Sequence, residues 1–239
     1  MVHIMLLRRR EFLKMIEHTI LKPNATLKDV ERYCKEAMEY GFGAVYVSPC
    51  YVEHASSIIK DKDIIVGTVV GFPLGFETID VKAYQTRVAL ERGARAIDMV
   101  MNIGMFKDGK YDYVLREIKS VVNTVKEFSE DVPVKVIIET GYLTDEEISK
   151  ATEIVARAGA DYVKTCTGFG PRGVTVHDII IIRDTLKRIN LLDRVKIKAA
   201  GGIRNLSQAL SLIKAGASKI GTSTGVAIAK EFRTEKMEI

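Results

Sequence analysis

Eight times along the chain, a short apolar, β-branched run gives way to a turn and then to an amphipathic stretch that often ends in glycine. The runs are "MIEHTIL" (15–21), "GAVYVS" (43–48), "IIVGTVVG" (64–71), "AIDMVMN" (96–102), "VKVIIET" (134–140), "DYVKTC" (161–166), "VKIKAA" (195–200) and "SKIGTS" (218–223). Nearly continuous apolar strands alternating with helices imply a parallel sheet whose faces are covered. "TLKDVERYCKEAMEYG" opens at an N-cap, Thr26, and closes at Gly41, and "TIDVKAYQTRVALERG" does the same from Thr78 to Gly93. "TDEEISKATEIVARAG" begins with a capping box, Thr144 and Glu147, and stops at Gly159. "VTVHDIIIIRDTLKR" and "NLSQALSLIKAG" complete the later units. Eight such units in 239 residues fit one α/β fold, the (β/α)8 or TIM barrel, whose usual size is about 250 residues. The expectation is a single domain over 1–239, the barrel proper covering about 15–232, with a short helix before Met15 across the barrel bottom. An open doubly wound sheet is the alternative, but no Gly-x-Gly-x-x-Gly follows an early strand.

The net charge of +5 is spread along the chain, and the one dense basic run, Arg8 to Arg10, is followed at once by Glu11. Nucleic-acid binding calls for a clustered basic stripe, so an anionic small molecule or a plain solvated face fits better. Cys34, Cys50 and Cys166 are too scattered for a disulfide framework or a zinc site, and His3, His18, His54 and His177 have no metal-ligand spacing. No metal and no cofactor are expected, and a reducing cytoplasm is the natural compartment. "MVHIMLLRRREF" does not read as a signal peptide, because its arginines follow the apolar stretch. No run of 18 apolar residues suggests a membrane span.

In a barrel of this kind chemistry sits at the C-terminal strand ends, and polar residues within strands need a reason to be there. Few are present: Glu17 and Thr19 in the first run, Asp98 in the fourth, Lys135 and Glu139 in the fifth, Lys164 in the sixth, Lys196 and Lys198 in the seventh. Lys164 and Lys198 each stand just before a small-residue turn, "TCTG" and "AAGG". The plainer account of Lys164 is a snorkelling side chain. The sharper one is a nucleophile: an ordinary lysine is almost wholly protonated at neutral pH, but a second ammonium and desolvation can bring its pKa toward ~7–8. Lys198 on the adjacent strand is placed to be that second cation, and Asp98 to accept and return protons. A buried ion-pair network without chemistry is the alternative for the trio. Lys196 shares the parity of Lys198 and lies about 6–7 Å deeper, as a structural partner or at a barrel edge. Glu139 beside Lys135 reads as part of a buried network, with a role in supporting the site residues as the open alternative. Cys166, His18 and His177 read as structural or surface residues.

Two loops suit an anion. Gly201 and Gly202 in "AAGGIRN" let backbone N–H groups approach it, and "IGTSTG" places Ser223 and Thr224 at the start of a short helix, "TGVAIAKEF". Loops after the seventh and eighth strands, with a short helix N-terminus, form the recurring phosphate site of these barrels.

Taken together, "IEHTILKP", "GFPLGFET", "AIDMVMNIG", "VKTCTGFGPRG", "KAAGGIR" and "IGTSTGVAI" resemble the deoxyribose-phosphate aldolase family over about residues 13–230. The resemblance implies a barrel that reversibly cleaves 2-deoxy-D-ribose 5-phosphate to D-glyceraldehyde 3-phosphate and acetaldehyde without a metal. It makes Lys164 the Schiff-base lysine and Asp98 with Lys198 the proton-relay pair. Thr167, Gly168, Gly201, Gly202, Gly221, Ser223 and Thr224 fall where the family holds the sugar phosphate, and Thr19 near the substrate hydroxyls. Glu17 stands next to the substrate where the family usually has Asp. Phe76, Cys166, Phe169 and Arg172 also depart from the common pattern, and Arg172 adds a candidate phosphate contact. The implied partners are a sugar phosphate, an aldehyde and further copies of the chain, as a dimer or tetramer, with no nucleic acid and no membrane. Two rivals remain. A non-covalent sugar-phosphate isomerase or epimerase would need a carboxylate base, and a non-catalytic sugar-phosphate binder would keep the pocket without turnover.

Overall fold

In the computed structural model, which describes residues 6–60 and 63–238, the eight runs form a closed parallel barrel. Its strands are β2 (Ile16–Ile20), β3 (Ala44–Val47), β4 (Ile65–Val70), β5 (Ala96–Val100), β6 (Val134–Ile137), β7 (Tyr162–Lys164), β8 (Lys196–Ala200) and β9 (Lys219–Thr222). Each pairs with the next, and β9 closes onto β2 from Ile16 opposite Ile220 to His18 opposite Thr222.

The count starts at β2 because a strand precedes the barrel. β1 (Leu6–Arg8) pairs antiparallel with β10 (Lys236–Glu238), and α1 (Arg9–Met15) follows it. The helix before Met15 is as expected; the two-stranded ribbon beside it is not. Three-residue strands are too short to show a period of two in sequence. Residues 1–5, with His3, lie outside the described residues. Helix α1 buries Phe12 and Leu13, the Phe12 ring lies 5.1 Å from that of Phe232, and Arg9 donates to the carbonyls of Phe232 and Ala229. The first and last described elements are thereby packed together.

Helices α2 (Leu27–Tyr40), α4 (Ile79–Glu91), α7 (Asp145–Arg157), α8 (Val176–Arg188) and α9 (Leu206–Ala215) are the five read from sequence, given there by their caps and periods. Thr26 and Thr144 form capping boxes with Asp29 and Glu147. Thr78 also occupies an N-cap, but its hydroxyl makes no capping bond. Four more elements complete the ring: α3 (Val52–Ile58), α5 (Ile103–Lys107), α6 (Tyr111–Phe128) and the short α10 (Gly225–Glu231). α6 was not singled out in sequence although Val114, Ile118, Val121, Val122 and Val125 form a buried stripe. It opens at Lys110, whose side chain makes no cap bond, so the usual start signal is missing.

The main apolar core lies between the outer faces of the strands and the helices. A second, small cluster of Ala44, Tyr46 and Ala96 sits apart from it. Tyr46 needs room: a Cβ at Gly67 would lie 2.4 Å from its ring. In β8, Lys196 is exposed and Lys198 is buried, so the deeper lysine emerges at the barrel edge and belongs to no interior network.

Candidate active site

Strand register brings the charged residues together. Lys164 and Lys198 are direct partners across β7 and β8, so both side chains leave the sheet at one level on one face. Ile137 is level with Lys164 and Val100 with Ile137, which sets Asp98 two residues lower on β5. From there its carboxylate receives both amines: Lys164 Nζ lies 2.8 Å and Lys198 Nζ 2.6 Å from the same Oδ2. Lys135, level with Asp98, stands 3.6 Å from Asp98 Oδ1 and 3.4 Å from Glu17 Oε1. Lys198 also pairs with Glu17, and Lys135 donates to the Tyr46 hydroxyl. The Tyr46 ring centroid lies 3.7 Å from Lys198 Nζ, a cation–π contact.

All five charged groups are buried. Burial alone would keep the carboxyls protonated, yet the lysines outweigh it: Asp98 is held well below the usual carboxylate range by Lys164, Lys198 and Lys135, and Glu17 is lowered by Lys135 and Lys198. For Lys164, burial is the largest influence and pushes its pKa down. Asp98 pushes it up, Lys198 pushes it down again, and the result is about 8. Near pH 7 about a tenth of such amines are free, against well under one per cent for an ordinary lysine. Three lysines face two carboxylates here, so loss of one proton from Lys164 balances the interior charge. Sequence reasoning named both a second cation and desolvation; of the two, desolvation is the stronger.

Above this network opens a cavity of about 490 Å³ walled by the loops after β2, β7, β8 and β9. Of the predicted residues, Lys164, Thr19, Thr167, Gly168, Gly201, Gly202, Gly221, Ser223 and Thr224 lie on the wall. Asp98, Lys198 and Glu17 do not. Glu17 is a counter-ion of Lys135 and Lys198. The wall's charged residues are Lys164, Lys22 and Arg204, with no acid among them. Gly201 and Gly202 have φ of 101° and 78°, a backbone region glycine reaches without strain, and both line the cavity. Thr224 directs its hydroxyl at the Ile203 carbonyl, as does Thr222, while the Ser223 side chain is exposed at the mouth.

Arg172 is bonded to protein groups. Its guanidinium makes two bonds to Asp178, 2.7 and 2.9 Å, and others to the carbonyls of Thr140 and Gly173, so it braces loops and is not on the cavity wall. Glu139 pairs with Thr167, not with Lys135. Cys166 is a buried thiol bonded to Thr140, its pKa pushed up to about 12 by burial. His18 is buried, stacked 4.1 Å from Tyr33 and bonded to Glu36; His177 pairs on the surface with Asp145. Both have the structural places expected. Phe169 lies on the cavity wall, edge-on to Phe72 at 5.5 Å. Sequence reasoning missed Tyr46 and Lys22. Lys22 follows the first apolar run directly, a signal that was visible; Tyr46 reads as an ordinary strand aromatic.

An amine held partly unprotonated at the top of a barrel, over a carboxylate able to exchange protons with it, can attack a carbonyl carbon and hold it as an imine. A wall with cations and no acid selects a carbonyl compound that is itself an anion. Fold and site together thus define a (β/α)8 aldolase of the imine-forming class. The comparisons make the assignment specific. Residues 11–231 match the DeoC/LacD family aldolase, and the chain belongs to that family. It is 50% identical over 224 residues to a deoxyribose-phosphate aldolase of Thermoanaerobacter pseudethanolicus, covering 94% of this chain and 98% of the relative. A deoxyribose-phosphate aldolase of Thermococcus gammatolerans is 50% identical over 222 residues, 92% of this chain and 96% of that one. Among solved structures, the aldolase QR15 superposes with a TM-score of 0.85 at 42% identity, covering 92% of this chain and 95% of its own. A deoxyribose phosphate aldolase of Aeropyrum pernix, described as a unique tetramer, gives 0.86 at 31% identity, covering 95% and 92%.

Proposed function

We propose that the chain is a class I deoxyribose-phosphate aldolase in which Lys164 is the nucleophile and Asp98 with Lys198 moves its protons. The observation that carries this reading is the single oxygen, Asp98 Oδ2, shared by the two buried amines, of which Lys164 alone faces the cavity. The amine attacks the C1 aldehyde of open-chain 2-deoxyribose 5-phosphate, and loss of water gives an iminium. Removal of the C3 hydroxyl proton breaks the C2–C3 bond, releasing glyceraldehyde 3-phosphate and leaving the electron pair in an enamine on C2. Protonation at C2 and hydrolysis free acetaldehyde and Lys164. The Asp98–Lys198 pair supplies and collects these protons. The phosphate is assigned to Gly201, Gly202, Ser223 and Arg204, which line one cavity and offer backbone N–H groups, a hydroxyl and a guanidinium to an anion.

The non-covalent isomerase is disfavoured because such a reaction wants a carboxylate base on the wall. Borohydride reduction in the presence of acetaldehyde, followed by peptide mass spectrometry, tests the assignment: the adduct is expected on Lys164. Lys164→Arg should lose both adduct and turnover, because a guanidinium does not deprotonate. Retention of more than a few per cent of activity would move the nucleophile elsewhere.

The same proposal includes one barrel domain over the whole chain, a cytoplasmic setting and a homo-oligomer. Leu74, Phe76, Val81 and Tyr84 are exposed along one stretch, an apolar surface that a second copy would cover. Among the described residues no helix is long and apolar enough to cross a membrane. Light scattering behind size-exclusion chromatography is expected to give a dimer or tetramer, and a monomer at micromolar concentration would refute that part.

A further inference from the structure

Just beyond β6 the backbone turns through Glu139 with φ of 53°, one of two non-glycine residues with positive φ among those described. A branched-out side chain rarely adopts that region, and such strain persists only where surrounding structure enforces it. The side chain is 1% exposed and forms no ion pair with any described residue. A buried carboxylate held by neutral donors alone is costly unless those bonds serve a purpose.

Both of its donors come from one residue. Glu139 Oε2 accepts the Thr167 N–H at 2.9 Å and the Thr167 hydroxyl in a very short bond, while Oε1 has no partner. The Thr167 hydroxyl in turn accepts from the Phe169 N–H at 3.0 Å. Gly170 completes the clasp: a Cβ there would lie 2.7 Å from both the carboxyl carbon and Oε1, so the glycine packs its backbone directly on the carboxylate. One side chain thus fixes residues 167, 169 and 170, three of the four that follow Cys166 on leaving β7. Three of that same stretch, Thr167, Gly168 and Phe169, form the cavity wall beside Lys164. Gly168, the residue between the clasped ones, has φ of 90° and turns its backbone toward the cavity.

The geometry points to Glu139 as a positioning residue that clamps the loop after β7, setting the wall against which the phosphorylated end of the substrate is held, without touching substrate itself. Thr167 is reassigned with it: its hydroxyl proton and its N–H are both spent on Glu139, so it donates nothing to the phosphate. The inference rests on the proposed function, since it needs Lys164 as nucleophile and a phosphate in this cavity.

Glu139→Gln keeps the shape and weakens the acceptor; Gly170→Ala pushes the carboxylate aside from the other flank; Thr167→Val removes the hydroxyl. Each is measured for kcat and KM on 2-deoxyribose 5-phosphate, on free 2-deoxyribose, and for the rate of borohydride trapping of acetaldehyde on Lys164. Trapping on the unaltered protein tests the nucleophile independently of Glu139. Misplacement of a wall by about 1 Å costs up to roughly a hundredfold. The expected result is therefore a ten- to hundredfold loss of kcat/KM on the phosphorylated sugar, mostly in KM, less than threefold on the free sugar, and an unchanged trapping rate. The Glu139→Gln/Thr167→Val double variant should lose no more than the worse single one. Equal losses on both sugars, or trapping that falls in step with turnover, would overturn the proposal. If Glu139→Gln does not fold, Gly170→Ala and Thr167→Val decide by the same criteria.

Discussion

Lys164 owes its reactivity to three opposed influences, and they can be separated by substitution. Because its pKa is about 8, the protonated, unreactive form dominates below that pH, so the rate should climb through the acid limb as the amine is freed. Replacing Lys198 by Met removes a cation that pushes the pKa down and leaves Asp98, which pushes it up, with Lys164 as its nearer partner. The acid limb should move to higher pH. An unmoved limb in the residual activity would show that burial alone tunes the amine. Asp98→Asn keeps the shape and discards the charge, so trapping on Lys164 should remain detectable while turnover falls by about 10²–10⁴, the usual range for lost acid–base assistance. If adduct formation vanished, Asp98 would be holding Lys164 in place and not relaying protons.

At the scale of elements, one buried ion pair fixes two loops at the top of the barrel. Lys82 on α4 donates at 2.7 Å to the carbonyls of Gly75 and Val100 and to Glu117 of α6, and Glu117 accepts from the Asn102 N–H at 2.9 Å. Val100 ends the strand that carries Asp98, so this strut sets where that strand stops. Lys82→Met leaves the Glu117 carboxylate buried and uncompensated, at a cost of about 3–5 kcal/mol, which in a chain of this length lowers Tm by roughly 6–20 °C. Adding Glu117→Gln removes the stranded charge and should recover part of the loss. A double variant less stable than Lys82→Met would mean that the carbonyl bonds, not the charge, dominate. Arg172 acts similarly, tying the β6 and β7 loops through Asp178 and Thr140.

For the molecule as a whole, binding energy gathered at one side of the mouth is used at the other. A charge-assisted hydrogen bond contributes about 1.5–3 kcal/mol, so several at the phosphate would account for a 10²–10⁴ difference in kcat/KM between phosphorylated and free 2-deoxyribose. Arg204→Ala and Ser223→Ala should each erase part of that difference. Thr224→Val should instead lower Tm, because that hydroxyl is bonded to Ile203 and Thr222. Comparable losses on both sugars for Arg204→Ala and Ser223→Ala would place the phosphate elsewhere in the cavity, with Lys22 the next cation to vary.

Much of this was written into the order of residues. An eightfold period of apolar runs and capped helices indicates a parallel sheet covered on both faces, and eight units in a chain of this length fit its closure into a barrel. Two lysines and an aspartate on strands that should be apolar mark the site, because burying charge needs a reason. What sequence could not decide was register and tilt. Parity alone left Lys196 and Lys198 equal, and only the position of the barrel edge exposes one and buries the other. The family resemblance implied that Glu17 stands next to substrate and that Arg172 adds a phosphate contact, and strand position suggested that Glu139 accompanies Lys135. The folded chain instead puts Glu17 under two ammoniums, Arg172 on Asp178 and Glu139 on Thr167. The Glu17 and Glu139 pairings join residues on separate strands or loops, so side-chain reach across them depends on the curvature of the closed sheet. Arg172, by contrast, meets Asp178 in the first turn of the helix that follows its own loop. Local periodicity carries the fold, because hydrophobic burial is read one element at a time; the partners of a buried charge are chosen only when the elements meet.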